Sequence, residues 1–180
     1  MGRSFARPLL EFRRNGIGGS RVAQVLADIT PSDGSAIVTE AATWMGTPYS
    51  LVGAASVKGV GGDCSGSTYL IYRVAGFPFD YLQASYFYAH ACVTGHFRQL
   101  GANDAKQEGD ILSWSDHMAV YTSFAADPGN AKTARTNAAG KPWTQINDMW
   151  TASHPQGPVY RPNAMRWFKP APPRVFRYQK

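Results

Sequence analysis

Cys64 lies where the sequence favours a nucleophile, directly before an apolar helical run. It follows an aspartate in the segment GGDCSGS at 61–67, and the apolar residues after it end at Gly76. Asp63 is a favourable N-cap and Gly76 a favourable C-terminal stop, so the pattern predicts a helix with Cys64 at its first position. The positive end of a helix dipole favours the thiolate, the form that attacks carbonyl carbons. The alternative is a small buried core residue, as most free cysteines are.

A thiol nucleophile needs a base that takes its proton and returns it to the leaving amine, and His117 is placed for that task. The residues Ile111–Trp114 and His117–Thr122 predict two strands joined by a tight turn at Ser115–Asp116. Period-two alternation puts His117 on the face that also holds Ala119. The start of a strand is a rigid place for a catalytic base, while a polar residue at a hairpin corner is the alternative.

A third polar group often orients the base, and His154 is the candidate, near the end of the strand that we expect after His117. The chain order is then cysteine, histidine, polar residue. A cysteine-bearing helix packed on an antiparallel sheet that carries the histidine resembles the arrangement of papain-like enzymes. We therefore expect an α+β fold with N-terminal helices and a papain-like core.

The length of 180 residues suits one domain with its own hydrophobic core. Cys64 and Cys92 could form a disulfide only by consuming the proposed nucleophile, so we predict two free thiols in a protein made in a reducing compartment. His90, Cys92 and His96 lie close together in the sequence but lack the further ligands that a metal site needs. We expect them to be structural or surface residues.

The chain divides into an N-terminal leader or linker, residues 1–35, and a domain over residues 36–180. The division follows the turn-like segment TPSDG at 30–34. Apolar residues at helical spacing from Ala36 to Trp44 then predict a first core helix.

The later segments are less regular. Residues Phe124–Asn147 predict a long polar excursion, and Asp148–His154 predicts a strand that ends at a turn in Pro155–Pro158. The segment Arg174–Tyr178 predicts a last edge strand. The aromatic residues in Tyr81–Tyr88 indicate core packing, with a substrate wall as the alternative.

The net charge of +6, with a basic end at Arg174, Arg177 and Lys180, favours polyanions such as acidic wall polymers or anionic surfaces. No basic block alternates with aromatics and no zinc-finger spacing occurs, so we expect no nucleic-acid partner. The first residues lack the apolar run of a signal peptide, and no stretch is apolar enough to span a bilayer. We expect synthesis in a bacterial cytoplasm without a signal peptide, and no membrane insertion.

Four segments in order resemble the motifs of the NlpC-type cell-wall cysteine peptidases. They are WMGTPY at 44–49, GDCSG at 62–66, GDIL at 109–112 and HMAVY at 117–121. Each is short, but four in the right order with suitable spacing are specific. The resemblance spans roughly residues 37–154.

The resemblance implies a role for each matching residue. Cys64 matches the nucleophile, His117 the general base, and Tyr49 a tyrosine that lines the cleft beside the nucleophile. Asp63 matches an aspartate that in some members holds the amine of the stem peptide. The resemblance also implies a circular, papain-like α+β core with no metal or organic cofactor. Ser65 and Trp114 are further candidates for substrate binding.

The third catalytic position departs from the family pattern. Members often carry His, Asn or Gln on the strand after the base, and the pattern puts Thr151 there. His154, three residues further on, falls on the opposite face by strand alternation but could reach inward from a loop. The third possibility is that Cys64 and His117 act as a pair without a third catalytic residue.

The resemblance implies a peptidoglycan hydrolase that cuts amide bonds in stem peptides, in the periplasm or cell wall. A basic wall hydrolase without a signal peptide is similar to antibacterial effectors that contact-dependent, type VI-like secretion systems inject into a target cell. Such an effector would have an immunity protein as partner; a phage or autolytic role is the alternative. Two readings of other kinds are an acyltransferase on the same fold and a noncatalytic basic wall-binding module.

Overall fold

We analysed a computed structural model, which describes residues 26–123, 148–153, 156–162 and 171–180. These residues form an α+β fold in which three helices pack with one antiparallel sheet. The helices are α1 (Pro31–Ala42), α2 (Cys64–Val74) and α3 (Ala84–His90). The strands are β1 (Phe97–Gln99), β2 (Ile111–Trp114), β3 (His117–Thr122), β4 (Asp148–Ser153), β5 (Gln156–Pro162) and β6 (Arg174–Tyr178). Short 3-10 turns lie at Gly53–Ala55 and Ala91–Thr94.

The six strands of the sheet lie in the order β1-β6-β2-β3-β4-β5, and all neighbours are antiparallel. The prediction that β6 is an edge strand is wrong, because β6 pairs with β1 on one side and with β2 on the other. The turn predicted at Pro155–Pro158 is also wrong in part, because β5 begins at Gln156. Strand β5 contains Pro158, and an edge position suits a residue that has no N–H for a second neighbour.

The hairpin that carries His117 has the predicted bounds. Strands β2 and β3 are joined by a two-residue turn, and Trp114 pairs with His117 next to it. The two faces of the hairpin pack differently. Met118 and Val120 belong to the main core with the helices, while Ala119 belongs to a smaller cluster on the other face. This alternation confirms the predicted faces of β3 at those positions.

Helix α2 begins at Cys64, as predicted. The Asp63 side chain caps it, and Gly76 follows its end with a left-handed φ of 94°. Within its apolar run, Ile71 is buried in the core whereas Val74 is 64% exposed. The hydroxyl of Tyr72 donates to the carbonyl oxygen of Gly109, two residues before β2, and so ties the cysteine helix to the histidine hairpin.

Helix α1 begins earlier than the periodicity indicated. The Thr30 side chain accepts from the Asp33 N–H, the Asp33 carboxylate accepts from the Thr30 N–H, and Pro31 takes the first helical position. These residues form a capping box, a helix start that the sequence pattern presented as a turn. The turn predicted at 30–34 and the start of the core helix at Ala36 are therefore corrected.

The folded domain also begins before residue 36. The backbone of Ala27 pairs with that of Lys180 in both directions, and the Ile29 N–H donates to the Tyr178 carbonyl. Residues 27–35 are thus part of the folded domain rather than of a leader. Residues 1–25 of the predicted leader and the polar excursion at Phe124–Asn147 lie outside the described residues.

The aromatic segment at 81–88 contains both buried and exposed side chains. Phe87 is fully buried and its ring meets that of Phe97 edge-on at 4.9 Å, which confirms core packing there. Tyr86, one residue earlier, is 57% exposed.

The basic C-terminal end has partners within the chain. Arg177 is buried and forms an ion pair with Asp110 at 2.8 Å, and Lys180 pairs with Asp33 at 2.6 Å. The guanidinium of Arg174 lies over a tyrosine ring at 4.1 Å. The Arg177 pair joins β6 to the residue directly before β2 and so supports the sheet, while the expected affinity of this end for polyanions stays a prediction.

Candidate active site

Cys64 opens onto a cleft of about 500 Å³ at the first turn of α2. The cleft is bounded by the α2 start, the loop before it, the α3 start and the β2–β3 turn. Its lining residues are Tyr49, Leu51, Gly53, Asp63, Cys64, Ser65, Tyr81, Gln83, Ala84, Ser85, Ser115 and Asp116. This volume is in the usual range for small-ligand sites.

The carboxylate of Asp63 organises the wall that carries Cys64. One oxygen accepts from the N–H groups of Ser65 and Gly66 and from the Ser65 hydroxyl, at 2.8 to 3.0 Å. The other accepts from the Gly53 N–H in the preceding loop. These bonds satisfy two donors of the first helical turn and anchor the loop. A substrate amine would have to share a carboxylate that already has four donors, and the amine-binding role of Asp63 stays a prediction.

Gly66 in the GDCSG segment is required by close packing. A Cβ at this position would lie 1.9 Å from the Gly53 carbonyl oxygen and 2.1 Å from the Ser56 hydroxyl. The loop that forms one side of the cleft therefore rests directly on the backbone of α2.

The thiol of Cys64 is buried, and burial raises its pKa to about 11. The nearby Asp63 carboxylate also raises this pKa. Hydrogen bonds from the backbone N–H groups of Met118, Ser65 and Cys64 itself oppose these effects without overcoming them. Burial therefore opposes the expected stabilisation of the thiolate at the helix start, because loss of water disfavours the charged form.

The backbone N–H of Met118, in β3, is among the groups that lower the pKa of the Cys64 thiol, so Cys64 lies near the start of β3. His117 is the residue directly before Met118, and its side chain is buried, with the ring centroid 6.1 Å from that of Trp114. The fold therefore brings the predicted nucleophile next to the strand end that carries the predicted base.

Thr151 of β4 lies behind His117. Its Oγ1 is 2.8 Å from His117 Nε2, and the same hydroxyl donates to the Met118 carbonyl oxygen at 2.9 Å. Of the two candidates for the third position, Thr151 is the one that the structure places against the imidazole. His154 lies outside the described residues, and its catalytic role stays a prediction.

The predicted substrate-binding residues divide between cleft and core. Tyr49 and Ser65 line the cleft, and burial together with the nearby Cys64 and Asp63 raises the pKa of Tyr49. The Ser65 hydroxyl, which donates to Asp63, is 3.1 Å from the Tyr81 hydroxyl. Trp114 is buried away from the lining and donates to the Ala171 carbonyl at 2.8 Å. Its contact is with His117, so it supports the base rather than the cleft surface.

Sequence reasoning missed several groups that form the site. Tyr81 lines the cleft, and the aromatic segment that contains it was a signal, because a substrate wall was one of its two readings. Ser115 and Asp116 bring the hairpin turn to the cleft. The Met118 N–H is a backbone donor, and no side-chain pattern reveals it.

The described residues were also compared with the features of metal sites and membrane spans, and the chain with known proteins. No three of their His, Cys, Asp and Glu side chains are grouped closely enough to hold a metal ion. None of the helices described is long and apolar enough to cross a membrane. No family model matches the chain, and neither does any curated protein.

Proposed function

We propose that the protein is a cysteine hydrolase that cleaves amide bonds in peptidoglycan stem peptides. One observation supports this most: Cys64 lines a cleft at the start of α2, and the backbone N–H of the residue that follows His117 lowers the pKa of its thiol. A buried thiol beside a histidine that is itself held by a third group is the arrangement that nucleophilic catalysis uses. The packing of α2 against the antiparallel sheet favours a papain-like core.

The reaction follows from the placement of these groups. His117 takes the proton of the Cys64 thiol as the sulfur attacks the scissile carbonyl carbon. In the first turn of α2 the N–H groups of Ser65 and Gly66 already donate to Asp63, so the N–H of Cys64 itself is the donor that this turn would offer to the oxyanion. The tetrahedral intermediate expels the amine, which receives the proton from His117, and an acyl-enzyme remains. Water, deprotonated by His117, then releases the acid and restores the thiol.

The choice of peptidoglycan rests on the resemblance of four short segments to wall peptidases. The cleft, about 500 Å³ in volume, suits a short peptide. Injection into a target cell and inhibition by an immunity protein rest on the same resemblance and belong to this proposal.

Digestion of purified sacculi tests the proposal. Wild type, Cys64→Ala and Cys92→Ala are incubated with sacculi, and the released muropeptides are identified by chromatography and mass spectrometry. Cys92 is the matched control, because it is a free but exposed cysteine that does not line the cleft. We expect new muropeptides from wild type and Cys92→Ala alone, and their masses name the bond that is cut. Identical profiles from wild type and Cys64→Ala would refute the proposal.

A further inference from the structure

Within the described part of the chain, the cleft beside Cys64 is lined by acidic groups and by no cation. Asp63 and Asp116 line it, and none of the described lining residues is Lys, Arg or His. The wall around the nucleophile is therefore negative, in a chain whose net charge is +6. Cations of the described part pair with carboxylates outside this lining: Lys58 with Glu40, Arg98 with Asp28, Arg177 with Asp110 and Lys180 with Asp33.

The two carboxylates of the cleft differ in what they offer to a ligand. Asp63 is 5% exposed, and it accepts from three backbone N–H groups and from the Ser65 hydroxyl. A carboxylate has about four lone-pair sites, so these donors occupy its capacity. Asp116 is exposed in the two-residue turn between β2 and β3, directly before His117. Asp116 is therefore the carboxylate of the cleft that a ligand approaches.

The hydroxyl of Tyr81 adds a further acceptor to the same lining. Its oxygen lies 3.1 Å from the Ser65 hydroxyl, which gives its own hydrogen to Asp63 at 2.8 Å. Since a hydroxyl has one hydrogen, Tyr81 must be the donor in its bond with Ser65. The Tyr81 oxygen then presents a lone pair to the cleft, and no hydrogen. Asp116 and Tyr81 thus both favour a ligand group that donates hydrogen bonds over one that only accepts them.

We propose that the cleft discriminates against carboxylates, so that the enzyme prefers stem peptides whose carboxyl groups beside the scissile bond are amidated, and that Asp116 determines this preference. The inference rests on the proposed function in taking a stem peptide as the substrate. A carboxyl group of such a peptide can be present as the free acid or as the amide, and the two forms have nearly the same shape. They differ in charge and in hydrogens, because only the amide can donate.

Repulsion between like charges supplies the discrimination. A carboxylate that enters the cleft is repelled by Asp116 and meets no cation among the described lining residues. The walls of a cleft exclude part of the water, so this repulsion is stronger than on an open surface. A carboxamide is not repelled, and its NH₂ group can donate to Asp116 or Tyr81. The negative wall therefore disfavours the free acid without a steric clash.

Alkylation of Cys64 by two matched reagents tests the charge of the cleft independently of catalysis. Iodoacetate and iodoacetamide are both attacked by the thiolate and both lose iodide, but one carries a carboxylate and the other a carboxamide. Both rates are measured in Cys92→Ala at pH 9, folded and in urea. We expect the ratio of the iodoacetamide rate to the iodoacetate rate to be about three- to ten-fold higher in the folded protein, the effect of a unit charge nearby in a partly solvated site. The excess should largely disappear in about 1 M salt.

Substitutions of carboxylates assign the effect to a residue. Asp116→Asn removes the charge with little change in shape, and Asp116→Ser keeps a residue that suits a turn. Each should lower the folded-state ratio by about three-fold or more. Asp80→Asn is the matched control and should leave the ratio unchanged, because Asp80 is exposed but does not line the cleft. A ratio in the folded Cys92→Ala protein no higher than in urea, or the same ratio after loss of Asp116, overturns the inference.

Hydrolysis gives a second readout. Muropeptides that differ only in the amidation of one carboxyl group are digested by wild type and Asp116→Asn. We expect kcat/KM of wild type to be about three- to ten-fold higher for the amide, and the two substrates to become more nearly equal in Asp116→Asn. Equal kcat/KM values in wild type would overturn the preference. Release of no muropeptides at all would overturn the proposed function, while the alkylation ratio would still decide whether the cleft excludes carboxylates.

Discussion

The buried thiol of Cys64 predicts an unusual dependence of alkylation on pH. Burial raises its pKa to about 11, so the folded protein holds a neutral thiol at pH 7. Iodoacetamide reacts with the thiolate and not with the thiol. We therefore expect slow alkylation at neutral pH that accelerates steeply into the alkaline range.

The magnitude follows from the thiolate fraction. At pH 7 a thiol with a pKa near 11 is about one part in ten thousand ionised, against about 3% for an ordinary thiol, a ratio of roughly 300. A more basic thiolate is a better nucleophile, which recovers about ten-fold of this difference. Alkylation of Cys64 should thus be about 20- to 30-fold slower than that of a model thiol at pH 7, and should rise about ten-fold per pH unit up to pH 10.

The assay uses Cys92→Ala, so that Cys64 is the one remaining cysteine. Loss of free thiol is followed by mass spectrometry from pH 6 to 10, with circular dichroism at each pH to verify that the protein stays folded. The same protein in urea is the control and should give the ordinary curve. A fast rate that is already constant between pH 6 and 8 would mean a preformed thiolate and would refute the reasoning.

Two substitutions test the packing around the site. Gly66→Ala puts a methyl group 1.9 Å from a carbonyl oxygen of the cleft loop and should lower the free energy of unfolding by about 1–3 kcal/mol in urea titrations, whereas Gly101→Ala, whose Cβ would meet only the Asp104 carboxylate at 3.7 Å, an ordinary contact, should change it little. An equal effect of the two would contradict the close contact. Arg177→Met leaves the fully buried Asp110 carboxylate without its cation and should cost about 3–5 kcal/mol, whereas loss of the exposed Lys180 pair in Lys180→Met should cost less than about 1 kcal/mol. Similar losses from both would contradict the role of burial.

The elements that the sequence predicts best are those with local signals. The hairpin of β2 and β3 was predicted with its bounds, because alternation and a two-residue turn are both local. The start of α2 was predicted because Asp63 is its cap. The position of β6 in the interior of the sheet was not predicted, since it depends on pairing with β1, a strand far away in the sequence. The start of α1 was missed because a proline in the first turn of a helix also occurs in turns.

The chemistry of the site could likewise be predicted from local residue types, but not where it depends on how distant elements pack. The types and spacing of Cys64 and His117 indicate a nucleophile and a base, and the fold places one beside the strand end of the other. The direction of the thiol pKa could not be predicted, because it depends on how completely α2 and β3 exclude water. The contact of Thr151 with the imidazole depends on the register between β3 and β4, which pairs Val120 with Trp150.

The burial of the Cys64 thiol and the Thr151 hydroxyl next to His117 both disfavour an ion pair between Cys64 and His117 in the resting protein. Burial disfavours a thiolate at Cys64, and a neutral threonine stabilises an imidazolium less than a carboxylate would. An ion pair between Cys64 and His117 therefore gains little from either neighbour. Proton transfer then accompanies attack on a carbonyl carbon that fills the cleft. The nucleophile therefore reacts slowly with alkylating agents until substrate binds, which is why slow alkylation at pH 7 is compatible with fast hydrolysis.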